Sequence, residues 1–306
     1  MEKRVIVILG PTCSGKTSLS ILLAKLLNSE IISADSRQIY KILSIGTAKP
    51  TDCELKTVKH HFVDELNPEE DFNVSRFEIE ATKIIDNLHT HNKIPIVVGG
   101  SGLYIKAIVD GLWNDVDTDL IFREKLMQQK AEFGNLFLYN KLLKLDEKSA
   151  KTMLPQNWKR VIRALEVFHL TGKSILEFHN EHKRETEYIF HQFGLSWNRE
   201  VLYKNIETRV DEMIKAGFVD EVKLILNMGF SSELNSLNTV GYKEIIAYLN
   251  GEFGLERAIE LIKRNTRHFA KRQMTWFRKD EKINWFITND KEDIPKIADE
   301  IIKKLC

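Results

Sequence analysis

Between the apolar run Val5–Leu9 and a helix-forming run from Lys16 to Leu27 stands the stretch Gly10, Pro11, Thr12, Cys13, Ser14, Gly15, Lys16, Thr17. This is the pattern G-x-x-x-x-G-K-[ST] in the strand–loop–helix context that it needs. The backbone N–H groups of such a loop turn inward and meet the positive end of the following helix, so together they hold a polyphosphate. Lys16 adds a point charge, and the Thr17 hydroxyl is placed to ligate Mg²⁺. The motif specifies a diphosphate or a triphosphate. It leaves open which of the two is bound and what the phosphate is for.

The first third of the chain repeats the strand-then-helix alternation. Val5–Leu9, Glu30–Ser33 and Ile94–Val98 are short, apolar and rich in β-branched residues, and each runs into a polar or glycine-rich turn. Such alternation predicts a parallel sheet covered by helices. Ligands of these sheets bind beyond the carboxyl ends of the strands. Three turns are therefore expected to converge: the loop Gly10–Thr17, the segment Asp35–Gln38, and Gly99-Gly100-Ser101-Gly102. From about residue 115 to about residue 192 strand signals give way to charged, helix-periodic sequence, with helices expected over Arg123–Phe133 and Asn157–Leu170. The expected organisation is a core domain from residues 1–114 and 193–306 and a helical insertion domain over 115–192. The last part is mostly helical, with one short strand expected over Ile283–Ile287.

Candidate chemistry gathers at the turns. Asp35 ends an apolar run beside the phosphate loop, where a carboxylate either supports a metal ion or takes a substrate proton; the competing reading is a turn or helix cap. The glycines around Ser101 permit close backbone approach to a ligand. Gly46-Thr-Ala-Lys49-Pro50 carries a lysine that faces either a phosphate or solvent. The adjacent His60 and His61 read as satisfied or exposed side chains rather than metal ligands. Arg160 and Arg163 share a helix face, with Glu166 placed to pair with Arg163. Over Arg264–Lys279, helical spacing puts Arg264, Arg267, His268, Lys271 and Arg278 on one face and Ile259, Ile262, Phe269, Trp276 and Phe277 roughly opposite. That pattern is either an amphipathic helix with a solvated face or a contact surface for nucleic-acid phosphates.

Composition sets the remaining bounds. With 45 Lys and Arg against 44 Asp and Glu the net charge is +1, so any nucleic-acid footprint must be local. Cys13, Cys53 and Cys306 are too few and too scattered for a disulfide framework or a zinc site and fit a reducing cytosol. No apolar run is long enough to span a bilayer, and the charged start lacks a signal-peptide core. The expectation is a cytoplasmic protein without membrane association, monomeric in the absence of a heptad or apolar stripe.

The ordered segments resemble the tRNA dimethylallyltransferases, also called tRNA isopentenyltransferases. Bacterial members show G-P-T-A-S-G-K-T, D-S-x-Q-x-Y, G-T-A-K-P and G-G-T-G-L-Y. This chain has Gly10–Thr17, Asp35–Tyr40, Gly46–Pro50 and Gly99–Tyr104 in the same order, followed by R-A-L-E-V at Arg163–Val167, V-G-Y at Val240–Tyr242 and A-K-R-Q-x-T-W-F-R at Ala270–Arg278. The loop alone is common among nucleotide enzymes, but the ordered set is highly specific and spans essentially the whole chain. The resemblance implies an α/β fold: a P-loop NTPase-like parallel sheet flanked by helices, with an α-helical insertion domain. It implies transfer of a dimethylallyl group from dimethylallyl diphosphate to N6 of the adenine 3′ to the anticodon in tRNA, with Mg²⁺ as cofactor and the anticodon stem-loop as partner.

By the same resemblance Asp35, Thr17, Ser101 and Arg209 are the catalytic set, with Asp35 the general base and Arg209 and Lys16 facing the departing diphosphate. The target adenine would be flipped into the protein, Gln38 reading its edge and Ser101 lining its channel. Asp35, Ser36, Arg37, Gln38, Ser101, Arg123, Lys159, Arg160, Arg163, Lys271, Arg272 and Arg278 are the implied tRNA contacts. Three positions depart from the family pattern: Cys13 for alanine, Ser101 for threonine, and Lys159 where glutamine often precedes the arginine. None removes a proposed catalytic group. The alternative is a small-molecule or nucleotide kinase using the same loop with ATP, in which the helical insertion and the basic helix would have no obvious use. A non-catalytic RNA-binding module is disfavoured by Asp35 beside an intact Lys16–Thr17 pair.

Overall fold

The computed structural model describes residues 2–111, 118–177 and 186–305. The chain forms two compact units, one from Met1–Val109 with Glu187–Cys306 and one from Asp110–Thr186. The larger unit is built on a six-stranded sheet in the order β3-β2-β4-β1-β5-β6, made of β1 Lys3–Leu9, β2 Ile31–Ser33, β3 His60–His61, β4 Ile96–Gly99, β5 Tyr188–Trp197 and β6 Asn284–Thr288. All neighbours pair in parallel, as expected for strands joined through helices.

β1 organises the sheet. Its residues Val5–Leu9 are fully buried, and their side chains alternate between two cores. Val5, Val7 and Leu9 join Ile32, Val97 and Tyr104 on one face. Ile6 and Ile8 join Leu19, Ile96, Phe193 and Ile297 on the other. Five such side chains, each worth about 1.5–3 kcal/mol on burial, fix where the strand ends and hence where the next residue, Gly10, must turn.

The expected strands over Glu30–Ser33, Ile94–Val98 and Ile283–Ile287 are present with ends shifted by one or two residues. β5 is not among the expected strands: it runs Tyr188–Trp197 and pairs with both β1 and β6, so Tyr188–Gln192 belong to the sheet rather than to a helical insertion ending at 192, and Phe193–Trp197 are strand rather than part of a mostly helical remainder. The cause is chemical. The first half of β5 carries His191 and Gln192 instead of an aliphatic run, and Gln192 is stabilised in the buried sheet by donating to Asp280 at 3.0 Å. The compact smaller unit accordingly closes at Thr186 and opens at Asp110; the expected border at 115, like Cys306, lies outside the described residues.

The smaller unit contains helices Leu120–Leu145, Glu147–Lys151 and Trp158–Thr171 around a core of Leu126, Leu138, Leu142, Val161 and Leu165. Gly134, with φ 80° and ψ 175°, breaks the first of these in two. Among the described residues no helix is long and apolar enough to cross a membrane.

An ion cluster ties three segments of the larger unit together beneath the sheet's edge. Glu30 accepts from Lys93 at 2.9 Å, contacts His61 Nε2 at 2.8 Å and lies 3.3 Å from Lys59. Burial alone would raise the Glu30 carboxyl, but the hydrogen bonds from Lys93, His61 and Lys59 outweigh it and bring it to about 2. An acid held below its unfolded value stabilises the fold above that value and loses the contribution as pH falls toward the folded one. The stability difference between wild type and Glu30→Gln should therefore be largest above pH 4.5 and shrink as pH drops toward 2. Urea midpoints measured across that window check it; a constant difference would remove Glu30 from the ion cluster's stabilising role.

Candidate active site

The phosphate-type loop leaves β1 through Gly10, whose φ of 147° and close approach to the Leu195 carbonyl leave no room for a side chain; an added Cβ would stand 2.7 Å from that oxygen. Cys13 adopts φ 62°, a left-handed conformation that a cysteine holds only at some cost. Gly15, at φ 89°, caps the helix Lys16–Leu26. Three bonds brace the loop, one within it and two from outside: Lys16 Nζ donates to the Pro11 carbonyl at 2.6 Å, Trp197 Nε1 to the Ser14 carbonyl at 3.0 Å, and the Thr12 N–H to Gln273 Oε1 at 2.9 Å. The buried Ser14 hydroxyl has no hydrogen-bond partner among the described residues. Burial, and then the nearby charge of Arg209, push the Lys16 amine down to about 8. A bound anion would counteract both with its own charge.

The other two expected turns meet this loop. Asp35 Oδ1 accepts from the backbone N–H of Arg37 at 2.9 Å and of Gln38 at 3.4 Å, so it closes a turn as the capping reading expected while lining the same cavity as Lys16. Ser101 Oγ accepts from the Ser36 N–H at 3.3 Å, which leaves its own proton to donate. Gln38 donates to the carbonyls of Thr47 and Ala48 at 3.3 and 3.2 Å and accepts from Ser33 Oγ at 3.3 Å.

Lys49 faces neither a phosphate nor solvent: its side chain is 3% exposed and pairs with Asp64 and the Tyr40 carbonyl. The loop that carries it is anchored instead by Glu221. That carboxylate accepts from the N–H groups of Ser44, Ile45 and Gly46 at 3.0, 2.7 and 3.2 Å and from the Tyr242 hydroxyl at 2.7 Å.

Arg209, on the helix Arg199–Lys215, donates to Thr12 Oγ1 at 3.4 Å and so reaches the loop as expected. The helix Leu255–Phe277 divides differently from the simple two-face reading. Ile262, Ala270, Gln273 and Phe277 are buried, whereas Phe269 and Trp276 are each 39% exposed and line a cavity rather than the core. Arg267 is held by Glu207 at 2.7 Å. Lys271, Arg272 and Arg278 are exposed, and Arg272 stands over the Phe269 ring. Gln273, Glu221 and Trp197 are members of the site that sequence reasoning did not single out. Gln273 lay within the A-K-R-Q-x-T-W-F-R match; nothing in the pattern distinguished Glu221.

Two cavities share a wall here. The first, about 620 Å³, is lined by Thr12–Thr17, Asp35, Gln38, Arg209 and Gln273. The second, about 520 Å³, is mostly apolar and lined by Ser36, Arg37, Ser101, Tyr104, Phe218, Arg272 and Trp276 among others. Asp35, Gly100, Arg209 and Gln273 border both. Among the described residues no group of three or more His, Cys, Asp or Glu side chains could hold a metal ion, so a cation here would depend on Thr17 and on ligand phosphates.

In the smaller unit Glu166 is fully buried and is reached by Arg123 Nη2 at 2.7 Å and Arg163 Nη1 at 2.6 Å. Both arginine side chains remain partly exposed, at 40% and 30%, and the carboxylate holds them side by side. Lys159 and Arg160 on the same helix are exposed.

A family model described as IPP transferase matches residues 38–280. The chain is 46% identical over 301 residues to a tRNA dimethylallyltransferase from Halothermothrix orenii, covering 98% of this chain and 92% of that one. To the protein of the same name from Acetivibrio thermocellus it is 47% identical over 305 residues, covering 98% and 96%. Its structure is similar to the full-length tRNA isopentenylpyrophosphate transferase from Bacillus halodurans, with TM-score 0.73, 40% identity, and coverage of 99% and 97%. It is also similar to a eukaryotic dimethylallyltransferase captured acting on tRNA, with TM-score 0.82, 30% identity, and coverage of 98% and 77%.

The protonation of Lys16 gives the site a pH signature that does not depend on these likenesses. The amine must be charged to attract phosphate, and in the free protein it loses its proton near pH 8. Affinity for a non-reactive diphosphate ester, whose own last proton leaves near pH ~6, should fall as pH rises above about 8, by up to about tenfold per pH unit. Lys16→Met should bind weakly and without that dependence. Calorimetric titration across pH 7–10 (roughly the range that spans the lysine's free and ordinary values) checks it; an unchanged slope in the variant would assign the titration to another group.

Proposed function

The chain belongs to the IPP transferase family, and we propose that its phosphate loop holds the diphosphate of dimethylallyl diphosphate as a leaving group. The activity is transfer of the dimethylallyl group to N6 of the adenine 3′ to the anticodon in tRNA, with release of diphosphate. The observation that carries the assignment of roles is the shared wall: Asp35 and Arg209 border both the phosphate-loop cavity and the apolar cavity beside it. The family match begins at residue 38, beyond the loop. The choice of a transferase over a kinase therefore does not rest on the loop, which would serve either.

The chemistry follows from what each group must do. The N6 lone pair is delocalised into the adenine ring, so the amine is a poor nucleophile and its placement against C1 of the allyl group matters most. As the N6–C1 bond forms, the C1–O bond to the diphosphate breaks and negative charge moves onto the leaving oxygens. Lys16, Arg209 and the N-terminus of the helix Lys16–Leu26 neutralise that charge in place. Asp35 accepts the amine proton as general base. Ser101, with its proton free to donate, lines the adenine's channel, and Gln38 reads the base edge. The adenine leaves its stack to enter the apolar cavity, where Tyr104, Phe269 and Trp276 offer aromatic faces. Mg²⁺ fits the donor set: Thr17 would hold it together with phosphate oxygens, and when bound it would supply further positive charge to the leaving group.

Contacts with tRNA are proposed at Ser36 and Arg37 by the cavity, at Lys271, Arg272 and Arg278 on the exposed helix face, and at Arg123, Lys159, Arg160 and Arg163 in the smaller unit. Glu166 would keep Arg123 and Arg163 close together, so that both can reach one phosphate. The protein is proposed to act in the cytoplasm as a monomer.

Purified protein should transfer labelled dimethylallyl from its diphosphate to unmodified tRNA in a Mg²⁺-dependent manner, read by the mass of anticodon fragments. ATP-dependent phosphorylation of a small molecule without tRNA alkylation would sink the proposal. Asp35→Ala should lower turnover by about 10²–10⁴-fold, and near-wild-type turnover would remove Asp35 as the base. Arg272→Ala should weaken tRNA binding and reduce the salt dependence of log affinity by about one contact's worth; an unaltered slope would return that residue to a solvated helix face.

A further inference from the structure

We propose that Gln273 is a positioning residue that locks the phosphate loop to the glycine turn bearing Ser101, so that the leaving-group site and the acceptor site keep a fixed separation. The residue is buried, 7% exposed, and both ends of its amide are used. Oε1 accepts the Thr12 N–H at 2.9 Å. Nε2 donates to the Gly100 carbonyl at 3.0 Å. The amide thus spans from the loop after β1 to the turn after β4, on the wall that both cavities share.

The surroundings are built to that span. A Cβ on Gly100 would stand 2.3 Å from Gln273 Nε2, and one on Gly102 would stand 2.4 Å from Trp276 on the same helix. Neither glycine has the positive φ that would itself demand glycine. Their lack of a side chain is therefore explained by the close approach of this helix to the turn. From Gly100 the connection continues through Ser101, whose hydroxyl accepts the Ser36 N–H, into the segment of Asp35. On the loop side it continues through the Thr12 hydroxyl to Arg209.

Only an uncharged group of this length with one donor and one acceptor satisfies both partners. Methionine matches the length and offers neither bond. Glutamic acid offers both bonds while protonated. Once ionised it still accepts from Thr12 but turns a lone pair toward the Gly100 carbonyl.

The inference rests on the prenyl-transfer reading for its kinetic readout, and the controls separate the two. Gln273→Met should lower kcat/KM for dimethylallyl diphosphate by about 10²-fold, the scale of a small misplacement of reacting groups. Its affinity for tRNA, measured without diphosphate, should stay as in wild type. Gln273→Glu should approach wild-type kcat/KM at the acid end of the usable range and fall progressively below it as pH rises, whereas the ratio of Gln273→Met to wild type should stay flat. Thermal melting of each free protein reports folding, and the rise in melting temperature with Mg²⁺ and inorganic pyrophosphate reports the loop. Near-wild-type kcat/KM in Gln273→Met, or a pH-independent ratio for Gln273→Glu, would overturn the proposal. If Gln273→Met does not fold, the pH profile of Gln273→Glu alone decides. An inactive wild type that still binds pyrophosphate would instead overturn the reading of the reaction, leaving the pyrophosphate-induced melting shift as the test of Gln273.

Discussion

A loop that binds phosphate through its backbone must keep its own N–H groups unspent, and much of the larger unit is organised by that requirement. The bonds that hold the loop go mainly to its carbonyls: Lys16 takes that of Pro11, and Trp197 that of Ser14. Among the described residues only Thr12 of the loop gives up its N–H to a side chain, and that side chain is Gln273. Gly10 lets the backbone pass under Leu195 of β5, so a strand, two aromatic or amide side chains and the lysine itself brace the loop from behind. The cost of this arrangement is visible at Lys16, an amine kept below its ordinary pKa by burial and by Arg209. A dianionic ligand offsets both with its own charge, so binding phosphate brings the amine back toward its ordinary value.

The same loop serves kinases and transferases, so its neighbours must decide what becomes of the phosphate. Here a polar cavity and an apolar one abut, with one carboxylate and one guanidinium on the common wall. A phosphoryl donor is attacked at phosphorus, and the acceptor that attacks it needs polar groups around its hydroxyl. An allyl donor is attacked at carbon, and its transition state spreads positive charge over a hydrocarbon that gains nothing from water. Tyr104, Phe269 and Trp276 beside the phosphate loop suit the second case.

Much of this was legible in the sequence because it is local. β1, the loop and the following helix are contiguous, and each is dictated by short-range pattern: a buried aliphatic run, two glycines at fixed spacing, a helix start. Arg163 with Glu166 was legible for the same reason, being one helical turn apart. What sequence did not display were bonds between distant segments. β5 as a whole was hidden because His191 and Gln192 break its apolar run, and the contact with Asp280, far along the chain, explains how Gln192 is buried. Lys49 was ambiguous until Asp64 was seen opposite it. Arg123 joins Glu166 across 43 positions, a pairing that no helical period announces.

Glu221 shows how such a distant bond explains two motifs at once. G-T-A-K-P and V-G-Y lie almost two hundred residues apart (on the order of a whole domain's length), yet both terminate on this one carboxylate. The N–H groups of Ser44, Ile45 and Gly46 converge on it from one side and the Tyr242 hydroxyl from the other. Gly46 is required because an added Cβ would lie 2.3 Å from Phe218 and 2.5 Å from Tyr242. With four donors on a single side chain, the loop has little freedom to shift, and its next two carbonyls, those of Thr47 and Ala48, are fixed in turn. Those carbonyls take the Gln38 amide nitrogen. A residue on a helix remote in sequence thereby sets which end of Gln38 is available to a ligand: the nitrogen is committed to the loop, and the oxygen, shared only with Ser33, is the end left to meet a donor such as an exocyclic amine.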